Sequence, residues 1–170
     1  MDPIFVTGQI LGIVAIGLGF LSYQMKTPGQ IALVQALTAF VFVIHYLMLG
    51  AITGMAMNIV CFIRGIVYYF RNKKGSSERI TPVIFAVIMA VMGILTWNAW
   101  YSVFIFLGQI ISTLCMAFKN PQNIRKGILV TSPMVIVYDV FALSVGGIIY
   151  ESVAITSSLI GIVRNRKSLK

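Results

Sequence analysis

The sequence predicts an all-α membrane protein of seven transmembrane helices in a 3+1+3 order, with two parallel three-helix-bundle repeats joined by a linker helix. Three observations predict this fold: composition, the sorting of basic residues, and an internal repeat. Of the 170 residues, 59% are hydrophobic and 10% are charged, whereas a soluble domain carries roughly 25% charged residues. The mean hydropathy is +0.95. A transmembrane helix needs about 20 apolar residues, so the chain has room for seven crossings and little else.

Seven apolar segments are separated by turn-forming residues. Because lipid offers no hydrogen-bond partner, each segment must satisfy its own backbone groups, as a helix does. The breaks contain glycine, proline or asparagine, as in Thr27-Pro28-Gly29, Gly50 and Asn120-Pro121. Thr81-Pro82 is typical of an N-cap followed by a first-turn proline. We expect helices over residues 4–23, 30–49, 51–71, 80–97, 101–118, 126–145 and 147–164.

The basic residues predict the orientation. With seven crossings, every Lys and Arg except Arg64 falls in loops on one side, and the loops on the other side contain none. Lys and Arg are retained in the cytoplasm during insertion. We therefore expect a multi-pass protein of the cell (inner) membrane, with its N-terminus outside and its C-terminus in the cytoplasm. The basic loops are expected to meet anionic lipid.

Aromatic residues near the predicted helix ends agree with this orientation, because Trp and Tyr favour the membrane interfaces. The outer belt is predicted to contain Trp97, Trp100, Tyr101, Tyr46 and Tyr150, and the inner belt Tyr23, Tyr68 and Tyr69.

An internal repeat is predicted at a separation of about 96 residues. This shift places Gly12 on Gly108 and Gly50 on Gly146, and Gly65-Ile66-Val67 on Gly161-Ile162-Val163. The first three helices (residues 1–74) then correspond to the last three (residues 101–170), and residues 75–100 hold the linker helix. One intervening helix gives both triplets the same orientation, a plan known among transporters.

The arrangement resembles the SWEET sugar transporters and the half-length SemiSWEET and PQ-loop proteins. A closer resemblance is to the YgjV family of bacterial inner-membrane proteins, carried by the run 45–51 (HYLMLGA) with Gly54, Asn58 and Arg64. The runs 145–149 and 162–164, with Glu151, resemble the second half of that family. The YgjV resemblance implies no activity, whereas the SWEET resemblance implies transport of a sugar-like solute.

Other classes of protein are disfavoured. The charge of +9 lies in short runs between apolar segments, which argues against a nucleic-acid binder. Neither cysteine belongs to a disulfide or metal pattern, and no nucleophile, phosphate-binding or dinucleotide motif is present. We expect no catalytic activity, no metal and no cofactor, while an oligomer remains open.

Polar residues within the apolar segments are the candidate site residues, since such groups are expensive in lipid. The substrate-binding candidates are Asn58, Asp139, Thr156, Ser157 and Ser158, with Phe42 and Tyr138 as aromatic platforms. The SWEET resemblance implies that an asparagine on the third helix contacts the solute. At a separation of 96, Asn58 corresponds to Ala154. For Asn58 the alternative is an interhelical hydrogen bond that only stabilises the bundle.

Three residues are candidates for gating or proton transfer: His45, Glu151 and Arg64. His45 either exchanges a proton or simply bonds a carbonyl, and Glu151 is a candidate partner for it. Asp139, placed at mid-depth of the sixth helix, needs a partner, a wet cavity or a proton. Arg64 either pairs with Asp139, extends to lipid phosphates, or caps the inner end of a cavity.

The main functional hypothesis is a facilitator or carrier that moves a small polar solute by alternating access between the two bundles. The alternative is a non-transporting receptor or assembly protein on the same fold. A dry bundle interior would favour the alternative, and a polar cavity would favour transport.

Overall fold

The computed structural model describes residues 3–75, 80–116, 118 and 120–164. Over these ranges the chain forms seven α-helices and no strand, which confirms the predicted helices and their order. The largest shift of a boundary is in the sixth helix, which begins and ends four or five residues earlier than predicted. The helices are α1 (Pro3–Gln24), α2 (Pro28–Met48), α3 (Ile52–Lys73), α4 (Ile80–Leu95), α5 (Ser102–Met116), α6 (Pro121–Phe141) and α7 (Val145–Arg164).

Four helices are long and apolar enough to cross a membrane: α1 over Val6–Gln24, and α2, α3 and α7 over their full lengths. Helices α4 and α5 are apolar but shorter, at 16 and 15 residues. Large apolar side chains are exposed along the outside of the bundle, as lipid contact requires.

Helices α2 and α6 begin in the same way. Each opens with a proline, and the residue before it caps the helix: Thr27 Oγ1 accepts from the Gln30 amide at 3.3 Å, and Asn120 Oδ1 accepts from the Gln122 amide at 2.9 Å. A proline at the first position lacks only an N–H that has no helical partner anyway. Both helices are 21 residues long, and their starts at residues 28 and 121 are 93 residues apart.

The predicted cap of the fourth helix is wrong. Helix α4 already includes Ile80, so Thr81 lies in its first turn instead of preceding it. Pro82 does lie in the first turn, as expected for a residue that lacks an amide hydrogen.

Six helices form a closed ring, and α4 lies outside it. Helix α2 packs between α1 and α3, and α6 packs between α5 and α7. Contacts of α1 with α7 and of α3 with α5 close the ring, and α4 packs on α3 and α5. The interior of the ring is therefore bounded by α1–α3 and α5–α7.

The contact between α1 and α7 depends on two glycines. A Cβ atom at Gly12 would lie 2.8 Å from the Gly146 Cα atom, and one at Gly146 would lie 2.6 Å from the Gly12 Cα atom. The absence of side chains lets the backbones touch. Gln9 adds polar links here, since it donates to the Leu143 carbonyl at 2.8 Å and accepts from the Gly146 amide at 3.2 Å.

Candidate functional site: a polar cavity inside the helix ring

A polar cavity lies inside the ring. Its volume is about 60 Å³, counted as space open to the centres of water molecules, and one water needs roughly 10–15 Å³ on this measure. The cavity therefore has room for several waters. All six ring helices line it, and α4 does not. The lining residues are Tyr23, Gln35, Thr38, Ala39, Phe42, Tyr46, Asn58, Cys61, Arg64, Gly108, Gln109, Ser112, Ile128, Thr131, Val135, Asp139, Gly147, Tyr150 and Glu151.

Helices α2 and α6 line the cavity with matching stripes. The α2 stripe includes residues 35, 38, 42 and 46, and the α6 stripe consists of residues 128, 131, 135 and 139. Each pair is 93 residues apart, the same separation as the two helix starts. The predicted separation of 96 does not reproduce this match, because it rested on glycine and apolar matches that recur in any membrane helix, and the repeat itself stays a prediction.

A separation of 93 would change the predicted partner of Asn58. It would pair Asn58 on α3 with Glu151 on α7 instead of with Ala154, and both Asn58 and Glu151 line the cavity. Asn58 is 7% exposed, and its Nδ2 donates to the Gly54 carbonyl of its own helix at 2.9 Å. Asn58 therefore lies at the cavity together with a carboxyl group, that of Glu151, and its contact with a solute stays a prediction.

Arg64 is buried beside the cavity and does not extend to lipid phosphates. It is 4% exposed, and its NH1 donates to Thr113 Oγ1 at 2.5 Å and to the Gln109 carbonyl at 3.5 Å, both on α5. Its Nε has no hydrogen-bond partner. The predicted pair with Asp139 does not form, because the guanidinium turns towards α5.

Asp139 lies in the last turn of α6, not at mid-depth as predicted, because α6 ends at Phe141. It is fully buried. Its Oδ1 accepts from the Tyr46 hydroxyl at 2.5 Å, while its Oδ2 has no partner. Tyr46 and Asp139 are 93 residues apart, so equivalent positions of α2 and α6 bond each other across the cavity.

His45 takes the simpler of its two predicted roles. One ring nitrogen is 2.7 Å from the Gly8 carbonyl and the other is 2.7 Å from Ser144 Oγ. Both nitrogens are therefore occupied, and the predicted pair with Glu151 does not form. His45 does not line the cavity; it joins α2 to α1 and to the turn before α7.

The three consecutive hydroxyl residues of α7 do not line the cavity, so this part of the predicted site is wrong. Thr156 is exposed and donates to the Ser152 carbonyl at 3.0 Å. Ser157 is buried and donates to the Phe20 carbonyl at 3.0 Å. Ser158 is buried with no partner for its Oγ. Successive helical residues point about 100° apart, so three in a row cannot face one site.

Of the two predicted aromatic platforms, only Phe42 lies at the cavity. Phe42 lines the cavity, with its ring 4.8 Å from that of Tyr150. Tyr138 does not line it: one position short of Asp139, it faces α3, where its hydroxyl accepts from the Gly54 amide at 2.8 Å.

Sequence reasoning missed three cavity tyrosines by assigning them to the interface belts. Tyr23, Tyr46 and Tyr150 are between 2% and 8% exposed and all line the cavity. Trp97 and Trp100 are exposed, as the outer belt predicts. The signal that could have found Tyr46 is its helical spacing from Phe42, Thr38 and Gln35.

Arg125 ties the two triplets together at the other end of the cavity from Asp139. It is 2% exposed, and it donates from Nε to the Tyr23 carbonyl at 3.0 Å and from NH2 to the Met25 carbonyl at 2.8 Å. These carbonyls lie at the C-terminal end of α1, where a helix favours positive charge. Gln35 also donates to the Tyr23 hydroxyl there, at 3.0 Å.

Apolar helices that surround a polar, charge-bearing cavity define a helical membrane protein. A family model described as a bacterial inner membrane protein, Imp-YgjV, matches residues 6–168. The chain belongs to this family, and the predicted YgjV resemblance is confirmed. No curated protein and no solved structure matches the chain.

Proposed function

We propose that the protein is a membrane carrier that binds a small polar solute in the central cavity and exposes it alternately to the two sides of the inner membrane. The observation that carries this proposal is the cavity itself. It is lined by residues of six helices, polar side chains form part of that lining, and it places Asn58, Glu151, Asp139 and Arg64 around one space. A receptor or a scaffold needs no such cavity, and a dry interior would have favoured that alternative.

The proposed carrier consists of two three-helix bundles, residues 1–74 and 101–170, joined by a linker helix within residues 75–100. The 93-residue correspondence of α2 with α6 supports this division. The pattern of contacts also supports it. If α1 is equivalent to α5 and α3 to α7, then the contact of α1 with α7 is equivalent to the contact of α5 with α3, and both contacts are present. Rocking of one bundle against the other would then open the cavity at one end at a time.

The proposed orientation places the N-terminus outside and the C-terminus in the cytoplasm. Lys26 and Lys73 lie at the ends of α1 and α3, and Arg164 ends α7, so basic residues gather at one end of the bundle. That end would face the cytoplasm and anionic lipid. Six of the residues behind the predicted charge asymmetry lie outside the described residues: Asp2, Arg79, Lys119, Arg166, Lys167 and Lys170.

Hydrogen bonds between the bundles would act as gates at the two ends of the cavity. At the outer end, Tyr46 bonds Asp139 and His45 bonds Ser144. At the inner end, Arg125 holds the Tyr23 and Met25 carbonyls. Each set must break in turn for the solute to enter and leave.

The carrier proposal is tested by uptake into proteoliposomes, with labelled sugars, nucleosides and amino acids as the panel. Sugars represent the class that the SWEET resemblance implies. We expect Asn58→Ala to abolish uptake, because Asn58 lies at the cavity. Asn72→Ala is a matched control: Asn72 also donates to the carbonyl four residues earlier on α3, at 2.8 Å, but does not line the cavity. Equal uptake by both variants, or no uptake of any panel member by the wild type, would contradict the proposal.

A further inference from the structure

The cavity brings together one basic and two acidic side chains that do not pair with each other. Arg64 approaches from α3, with its Nε unpartnered. Glu151 and Asp139 approach from α7 and α6, and the unpartnered Oδ2 of Asp139 faces Gly147. In the described part of the chain, no Lys, Arg or His side chain bonds either carboxyl group.

All three groups belong to one space. Arg64, Glu151 and Asp139 line the same cavity, together with Cys61 and Tyr23. Arg64 and Asp139 are at least 96% buried. A buried charge with unused hydrogen-bonding capacity is costly unless something pairs with it.

We propose that the cavity binds a small zwitterion, an amino acid in its chemistry, with its carboxylate at Arg64 and its ammonium group at Glu151 and Asp139. Such a ligand offers a group of opposite charge to both sets of side chains at once. A sugar hydroxyl can hydrogen-bond either set but balances neither charge, and an anion or an amine alone balances one. This inference rests on the carrier proposal and names its substrate class.

The other lining groups fit the same ligand. The rings of Phe42, Tyr46 and Tyr150 pack together on the side of the two carboxyl groups, with centroids 4.8–5.6 Å apart for the pairs that include Phe42. Aromatic faces attract ammonium groups. The volume of about 60 Å³ suits a ligand of few heavy atoms.

Cys61 provides a reporter of occupancy. It lines the cavity, and its thiol donates to Gln109 Oε1 at 3.1 Å. The chain has two cysteines, so in a Cys115→Ala background only Cys61 reacts. The experiment measures the rate at which a small methanethiosulfonate modifies Cys61 in the full-length protein, with L-alanine, β-alanine, propionate, ethylamine or glucose present.

We expect L-alanine or β-alanine to slow modification by about ten-fold at concentrations where the other three compounds have little effect. Ten-fold slowing means that the ligand occupies about nine-tenths of the protein, which is reached at a concentration of about nine times its Kd. Equal protection by glucose or propionate, or no protection by any of the five compounds, would overturn the inference.

Charge variants separate recognition from folding. Arg64→Gln should lose protection by the amino acids and gain protection by ethylamine, whereas Glu151→Gln should gain protection by propionate. Arg64→Lys is the variant to use if Arg64→Gln fails to fold. It keeps the positive charge, so it should keep amino-acid protection. Arg71→Gln, on the same helix outside the cavity, is the control. Amino-acid protection that survives both Arg64→Gln and Glu151→Gln would contradict the proposed site.

The two proposals fail in different ways. Amino-acid protection without uptake in proteoliposomes would refute the carrier and support the zwitterion site. Uptake of glucose, with no protection by either amino acid, would refute the zwitterion site and support the carrier.

Discussion

Helices α2 and α6 are alike as scaffolds and unlike as surfaces. Both have 21 residues, both start with a capped proline, and both line the cavity at the same helical spacing. Yet α2 presents Gln35, Phe42 and Tyr46, where α6 presents Ile128, Val135 and Asp139. The comparison teaches that matching backbones here enclose an asymmetric cavity, which would hold a solute in one orientation.

The largest expected effect tests the correspondence at 93 residues. Gly54 and Gly147 are equivalent in that register. A Cβ at Gly54 would lie 2.9 Å from the Tyr46 ring, and one at Gly147 would lie 2.5 Å from Asp139 Oδ2. We expect each glycine-to-alanine variant to lower the free energy of unfolding by about 1–3 kcal/mol through overpacking, as measured by denaturation in detergent.

Gly17→Ala is the control for both variants, because nothing lies within 4 Å of a Cβ built there. It should be neutral or stabilise α1, since alanine favours a helix by up to about 1 kcal/mol over glycine. Equal stability of Gly54→Ala and Gly17→Ala would contradict the proposed correspondence of Gly54 on α3 with Gly147 on α7.

A smaller effect is expected where α2 and α6 touch. Tyr46→Phe removes the hydroxyl that donates to Asp139 and leaves a fully buried carboxyl group without its donor. We expect a loss of about 1–3 kcal/mol in unfolding free energy. Asp139→Asn keeps an acceptor for Tyr46 and removes the charge, so it should cost less stability and still impair uptake. A larger loss of stability in Asp139→Asn than in Tyr46→Phe would contradict the assignment of the bond.

The smallest effect is expected on α7. Thr156 is exposed and bonds only within its own helix in the described chain. Thr156→Ala should leave uptake unchanged and alter the unfolding free energy by about 0.5 kcal/mol or less, as exposed sites usually do. A strong loss of uptake would place the hydroxyl run back in the site.

The sequence predicted the helices better than the cavity. Helix number and order follow from apolar length and turn residues, which act locally. Phe42, Asn58 and Asp139 were found because polar and aromatic groups inside apolar segments stand out. Tyr138 was misplaced because the separation of 96, drawn from glycines, pairs it with Phe42. The cavity stripes pair Phe42 with Val135 instead, three residues earlier. The separation of 93 is readable from the two capped prolines that open α2 and α6, Pro28 and Pro121.

Interactions that depend on tertiary contacts were beyond sequence reasoning. The spacing of Arg64 along α3 allows it to extend to lipid, and only the position of α5 turns it towards Thr113. His45 likewise bonds groups 37 and 99 residues away. Such partners depend on how helices pack, and composition carries no record of that.

The most direct measurement is uptake by Cys115→Ala proteoliposomes before and after Cys61 is modified by a methanethiosulfonate, with labelled L-alanine and glucose as solutes. Modification fills the cavity, so we expect uptake to stop and to return when dithiothreitol removes the adduct. Cys61→Ala proteoliposomes, treated in the same way, should be unaffected. Undiminished uptake after complete modification of Cys61 would show that the solute does not pass through this cavity.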